Sequence, residues 1–442
     1  MAGGTFVAMN KVRPGAYINF ESVPKPLMTV AERGVMTMPV AMEWGPQDTM
    51  ITLLSEDLLN GKSIAKIGYD AYDEESLIFR EALKNAYKAF IYRADTGGTK
   101  ATATIGNLTV AAKYAGVVGN RITVAVVAVD GGAFKVQTFL DAGLKDEQEV
   151  TAISGLVSND WVDFAGTGAL TANVGTALTG GTNGTVSTSF LTSYFDKVEK
   201  MKWNTMAIPL NLEGVNGPAL AFIKRMRDDL GKKCQVVLVD YNTADYEGVI
   251  SVSQGYKTST ETISKYTFAA TVAGMTAGAA VNVSNTFATV DPDAVEIVGE
   301  LSDDEIKEAL QVGKFVISRR DDDVIVVEQD INTFHSFTVK KNKEYSKNRV
   351  IRCLDEINNT TKLTWEKSYV GKVDNDEDGR NSFKADLINF GKQLQDLRAI
   401  TDFDGNADIS VIKGQNIEDV IADWALTPVD AMEKLYMTVR TR

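Results

Sequence analysis

The feature that most constrains this chain is a change of texture in its first half. At Asp95-Thr96-Gly97-Gly98 the mixed helical and strand patterning stops, and up to about Asn183 the sequence is rich in Gly, Thr, Ala and Val. Residues 121–129 (RITVAVVAV), 134–140 (FKVQTFL) and 161–164 alternate between turn clusters. Short period-two strands at this spacing predict a small β-sandwich or barrel inserted as a module over 95–184, with the GGTNGT run at 180–185 as its exit. The 442 residues leave room for about three domains at ~150 residues each.

The flanks carry a different rhythm. Residues 21–94 read as an α/β part: strands at 29–34 and 35–42, a helix opened by Asp73-Glu74-Glu75, and a strand at 89–92. The acidic start suits the positive end of the helix dipole. After the module, helices at 190–203 and 218–230 lead into strands at 206–210 and 234–240. Ser302 and Glu305 form a capping box before 306–312, and 315–318 and 324–328 pair across the polar RRDDD. Alternation of this kind over 185–335 implies a sheet covered by helices. The stretch 271–283 is rich in small residues, which suits tight packing, and it is too short and Gly-rich to span a membrane. Residues 336–425 read as helices at 344–358 and 381–400 followed by a strand at 407–411.

Both termini look like arms rather than domains. In residues 1–20, Ala16, Ile18 and Phe20 share one face of a period-two pattern. In 426–442, Leu435, Met437 and Val439 do the same. A strand pattern with no partner beside it predicts a strand that pairs elsewhere.

Charge and composition narrow the function. Lys and Arg total 46 against 59 Asp and Glu, a net charge of −13, which repels phosphate backbones and anionic bilayers. No run approaches the ~18 apolar residues of a membrane span, and the first residues lack the apolar core of a signal peptide, so a chain made in a cytoplasm is expected. Neither nucleic-acid binding nor membrane embedding is expected. One run opposes the net sign: Lys340, Lys341, Lys343, Lys347, Arg349 and Arg352. It reads either as a solvated helix face or as a docking patch for an acidic protein surface.

Motifs for chemistry are fragmentary. The only two cysteines, Cys234 and Cys353, form no C-x-x-C pair, and Cys234 runs into an apolar strand where a buried thiol is expected. His335 is the single histidine, so a serine-hydrolase triad would rest on it alone, and no G-x-S-x-G elbow exists. Gly61-Lys62-Ser63 ends like a phosphate-binding loop, but Glu56 stands where its first glycine belongs. Residues 374–379 (DNDEDG) match half of a calcium loop, whose twelfth position is Ala385 instead of Glu. A solvated acidic turn is the better reading. No catalytic residue, metal or cofactor is expected.

Longer motifs point to a family. Residues 13–20 (RPGAYINF), 328–334 (EQDINTF), Phe337-Thr338, 346–352 (SKNRVIR) and 369–373 (YVGKV) resemble contractile tail sheath proteins, most of all those of Gram-positive phages and phage-tail-like (R-type) bacteriocins. The resemblance runs over nearly the whole chain. It implies a multidomain α/β and β fold with an inserted β-sandwich, a subtilisin-like α/β domain without protease activity, and an α+β C-terminal domain facing the tail tube. Extended terminal strand arms from neighbouring subunits would add to that domain's sheet. The partners it implies are further copies in hexameric rings, the tube protein, and baseplate and terminator proteins. Assembly would occur in the host bacterial cytoplasm, and the product would be a particle tail. On this reading Lys340, Lys343, Lys347 and Arg349 are candidate tube-facing residues. His335 stands where the pattern would place a small polar residue, which gives a functional histidine no support.

Overall fold

A computed structural model describes residues 2–4, 12–13, 15–17 and 27–441. The chain divides into two compact units, one of Ala31–Asn359 with Pro428–Arg442 and one of Met1–Val30 with Thr360–Thr427.

The larger unit is built on a seven-stranded sheet, in the order Lys314–Phe315, Val249–Val252, Gln235–Val239, Thr205–Ala207, Val35–Val40, Lys88–Arg93, Met50–Leu54. All neighbours run parallel except the edge strand Met50–Leu54, which is antiparallel. Every residue of Gln235–Val239 is buried, as a parallel strand covered on both faces requires. Segments that read as separate parts in sequence therefore share one sheet, since Val35–Val40 pairs directly with Thr205–Ala207. Residues 29–34 are not a strand. The Gly34 carbonyl accepts from the backbone amides of Tyr87 and Lys88 instead.

Helix Lys265–Gly278 lies over one face of the sheet and is buried from Phe268 to Ala277. Its small residues let it come close to helix Leu77–Leu83. A Cβ on Gly274 would stand 2.2 Å from the Ala82 carbonyl oxygen, and one on Gly278 1.9 Å from that of Asn85. Helices Phe190–Val198 and Asn216–Lys224 pack in a second core cluster, where Phe195 stacks on Phe222 at 4.3 Å. The capping box of Ser302 and Glu305 opens helix Asp303–Gln311, and Ile317–Arg319 pairs with Ile325–Val327.

The inserted module is a β-sandwich. One sheet runs Gly143–Val150, Phe134–Leu140, Ile122–Ala128, Asn173–Ala177, and the other Val162–Gly166, Leu108–Ala112, Thr102–Ile105. The chain enters and leaves side by side, Asp95–Thr96 pairing with Thr185–Val186. The junction is not a loose tether. Trp44 stacks on Trp161 at 5.6 Å, and the buried Arg93, paired with Asp95, donates to the carbonyls of Gly45 and Ala115.

The smaller unit contains helix Glu377–Asp396 and the hairpin Ile409–Lys413/Val420–Trp424. Phe383, Leu387, Phe390, Leu394 and Ile409 are buried, and Trp424 meets Phe390 edge-on at 6.3 Å. Gln393 donates to the Met28 carbonyl and ties residues 27–30 to the helix.

Candidate functional site: the terminal arms and their anchorage

Residues 429–441 form no helix or strand. Leu435, Met437 and Val439 are 83%, 72% and 75% exposed, and Tyr436 on the opposite face of the pattern is 90% exposed. Three apolar side chains at period-two spacing thus stand in water. At the other end, Gly15–Tyr17 is a strand, but its partner is in the same chain: it pairs in parallel with Ala2–Gly4, Ala16 opposite Gly3. The sequence pattern showed no such neighbour, because residues 2–4 carry almost no side chain to reveal one. Ala16 is exposed, whereas Ile18 and Phe20 lie outside the described residues.

The base of the C-terminal arm is held at Glu433. Its Oε1 accepts from Thr286 Oγ1 at 3.0 Å, its Oε2 accepts from Gln329 Nε2 at 2.7 Å, and the same oxygen pairs with Lys347 Nζ. The Lys347 and Glu433 side chains are only 14% and 13% exposed. Burial pushes the Glu433 carboxyl up. The Lys347 ammonium, with Gln329 and Thr286, outweighs this and holds it below the usual carboxylate range.

Behind the clamp lies a buried polar network. Thr286 Oγ1 also accepts from the Asp330 amide at 3.0 Å. The Asp330 carboxylate accepts from Arg352 Nη2 at 2.7 Å, from the Asn285 amide at 2.9 Å and from Asn348 Nδ2 at 2.9 Å. Gln235 from the central sheet donates to Asn348 Oδ1. The basic run therefore does not form one face. Lys340 and Lys343 are exposed and Lys341 pairs with Glu247 at 2.6 Å, but Lys347 turns onto Glu433, and Arg349 and Arg352 are buried. Thr286, Gln329 and Glu433 escaped sequence reasoning. The available signal was that Gln329 and Lys347 sit in two of the longest family-like motifs.

The fragmentary motifs have structural employment. His335 Nδ1 lies 2.8 Å from the Thr333 carbonyl and 3.3 Å from Asp245, whose carboxylate accepts from the amides of His335 and Ser336. Asp376 caps helix Glu377–Asp396 by accepting from the Gly379 amide. Among the described residues no cluster of three or more His, Cys, Asp or Glu is placed to hold a metal. Ser63 donates to the Tyr69 carbonyl. Both cysteines are buried and free, their thiols pushed up to about 12 by desolvation. No helix among the described residues is long and apolar enough to cross a membrane.

A multidomain body with an anchored, exposed arm and a two-stranded hairpin is built like a polymer subunit. The comparisons give that class its family. Residues 33–94 match the tail sheath protein Gp18 domain III N-terminal region, 96–183 the phage tail sheath protein beta-sandwich domain, 184–333 the central domain, and 340–442 the C-terminal domain. A sheath tail protein from Desulfitobacterium hafniense, known from its crystal structure, is 42% identical with a TM-score of 0.84, covering 97% of this chain and 100% of that one. One from Listeria innocua is 33% identical with a TM-score of 0.80, covering 93% and 96%. The phage-like element PBSX protein XkdK of Bacillus subtilis is 34% identical over 99% of both chains. The helical sheath of the anti-feeding prophage in its contracted state shares the fold, at 12% identity and a TM-score of 0.59 over 98% of this chain. The chain belongs to the phage tail sheath family, and it is a structural subunit of a tail sheath.

Proposed function

We propose that copies of this chain stack as hexameric rings around a tail tube and shorten along it to drive the tube through a cell envelope. The observation that carries this is the pairing of features within one chain. An arm with apolar residues at period-two spacing lies in solvent, and the hairpin Ile409–Lys413/Val420–Trp424 has no further strand on either edge among the described residues. Ile412 and Ile421, opposite each other on its outer face, are 55% and 50% exposed. A free strand and a free sheet edge complete each other across a subunit contact by main-chain hydrogen bonding. Such head-to-tail contacts that do not close produce a helical tube. Ala16, Ile18 and Phe20 would serve the same purpose at the N-terminus. The role is mechanical, with no chemistry assigned to any residue. The partners are further copies, the tube protein, and baseplate and terminator proteins, met in the host cytoplasm during assembly. Negative-stain microscopy of the purified full-length protein should show striated tubes. A protein that stays monomeric at high concentration and in the presence of tube would overturn the reading.

The tube contact follows from what remains of the basic run. Only Lys340 and Lys343 of its four candidates present their charge to solvent, so they are the tube-facing pair we propose. Reversing both to Glu should weaken co-sedimentation with tubes several-fold while leaving sheath self-assembly intact, and raising salt toward 1 M should have the same direction of effect. Unchanged tube binding under both treatments would leave these lysines as solvated surface.

A further inference from the structure

We infer that Glu433 is the positioning residue of the C-terminal arm: its clamp by Thr286, Gln329 and Lys347 fixes where the chain leaves the body and so where the exchangeable strand begins. The inference rests on the strand-exchange reading above and deepens it.

The three contacts come from three separate stretches of chain, so the carboxylate is held from several sides instead of lying against one helix. Thr286 and Lys347 are themselves fixed. Thr286 is bonded to the Asp330 amide, and the residue next to Lys347, Asn348, is bonded to both Asp330 and Gln235. Asp430 lies 3.9 Å from the same ammonium, a weaker second hold three residues upstream. Immediately beyond Glu433 the environment changes. Lys434 is exposed, and Leu435 through Val439 are exposed on both faces of the strand pattern. Upstream the exposure alternates, with Met432 fully exposed between the half-buried Ala431 and Glu433, so Glu433 is the last described residue whose side chain is held.

That position has two consequences for a polymer. Val439 lies six residues beyond Glu433, at most about 20 Å when extended, so the neighbour's sheet edge that accepts Leu435–Val439 must stay within that distance of the clamp before and after contraction. Tension on the exchanged strand is delivered through Glu433 to the Asp330–Arg352 network, and not to the last residues of a slack tail. An unclamped arm would start further back, sample a larger volume and meet its acceptor at lower effective concentration.

The test uses the full-length protein with a nitroxide placed through Ala431→Cys, or in a second series through Tyr436→Cys. The buried Cys234 and Cys353 are shielded from the label. In otherwise unchanged protein the label at the half-buried position 431 should be restricted and the label at 436 mobile. Glu433→Ala should make both mobile and raise the critical concentration for tubes about tenfold. Glu433→Gln, which keeps an oxygen for Thr286 or Gln329 but loses the charge, should fall between and guards against misfolding of the alanine variant. A label at 431 that stays restricted in Glu433→Ala, or tubes forming at the unchanged concentration, overturns the clamp. Absence of tubes from the unsubstituted protein would instead overturn the strand-exchange reading, and the label mobilities would still decide the clamp.

Discussion

Removing residues 434–442 should leave a folded, soluble subunit that no longer makes tubes. The body loses nothing by the cut, because Leu435, Tyr436, Met437 and Val439 are exposed and residues 429–441 belong to no helix or strand. The polymer loses a strand. Five paired residues contribute several main-chain hydrogen bonds at about 1 kcal/mol net each. Burying Leu435, Met437 and Val439 in a neighbour adds roughly 1.5–3 kcal/mol per side chain. Ordering the arm opposes this at about 1–2 kcal/mol per residue. Even a surplus of about 4 kcal/mol per contact is close to a thousandfold in association, multiplied at every subunit along the tube. Met437→Pro should imitate the truncation by removing one ladder donor without shortening the chain. Thermal unfolding and sedimentation velocity decide the matter together: the truncated protein should melt like the full-length one and sediment as a single slow species. Tubes of normal appearance from the truncated protein would show that body contacts alone hold the sheath.

What could be read in the sequence follows the range of the interactions involved. The β-sandwich was legible because its strands alternate locally and its turns are marked by glycine, and the capping box at Ser302 announces its helix within four residues. The period at 435–439 is equally local, but the strand it predicts needs a partner that one chain does not supply, and residues 429–441 form none here. The shared seven-stranded sheet was not, because Val35–Val40 meets Thr205–Ala207 only after the chain has passed through the whole inserted module. Nothing near residue 35 encodes which later strand will lie beside it. The basic run misled in a related way. Lys347 and Arg352 look like surface charge until Glu433 and Asp330 arrive from elsewhere in the chain. The residues that made the family resemblance visible, in 328–334 and 346–352, include the members of that polar network, with Gln329, Asp330, Lys347, Asn348 and Arg352 all bonded within it.

The network also makes a sharp statement about stability. Asp330 and Arg352 form a pair whose side chains are each 1% exposed, and Asp330 additionally satisfies the Asn285 amide and the Asn348 side chain. Positive charge is crowded here: burial, and then the charge of Arg352, bring the Arg33 guanidinium down to about 10. Asp330→Ala would leave the Arg352 guanidinium buried without its carboxylate and strand two further donors. The expected loss is about 3–5 kcal/mol, a large part of the ~5–15 kcal/mol that holds a typical domain together. The exposed pair of Arg225 and Glu199 supplies the contrast, since Glu199→Ala should cost no more than about 1 kcal/mol. Urea unfolding of the monomeric subunit, compared at equal m-values, measures both. Because the Asp330 carboxylate holds Asn348, the neighbour of the Lys347 that pairs with Glu433, Asp330→Ala and Glu433→Ala should be non-additive by more than about 0.5 kcal/mol. Additive losses, or a cost for Asp330→Ala near that of Glu199→Ala, would mean that the arm's anchor and the core are mechanically separate, and that the tension of an exchanged strand is borne somewhere other than Asp330.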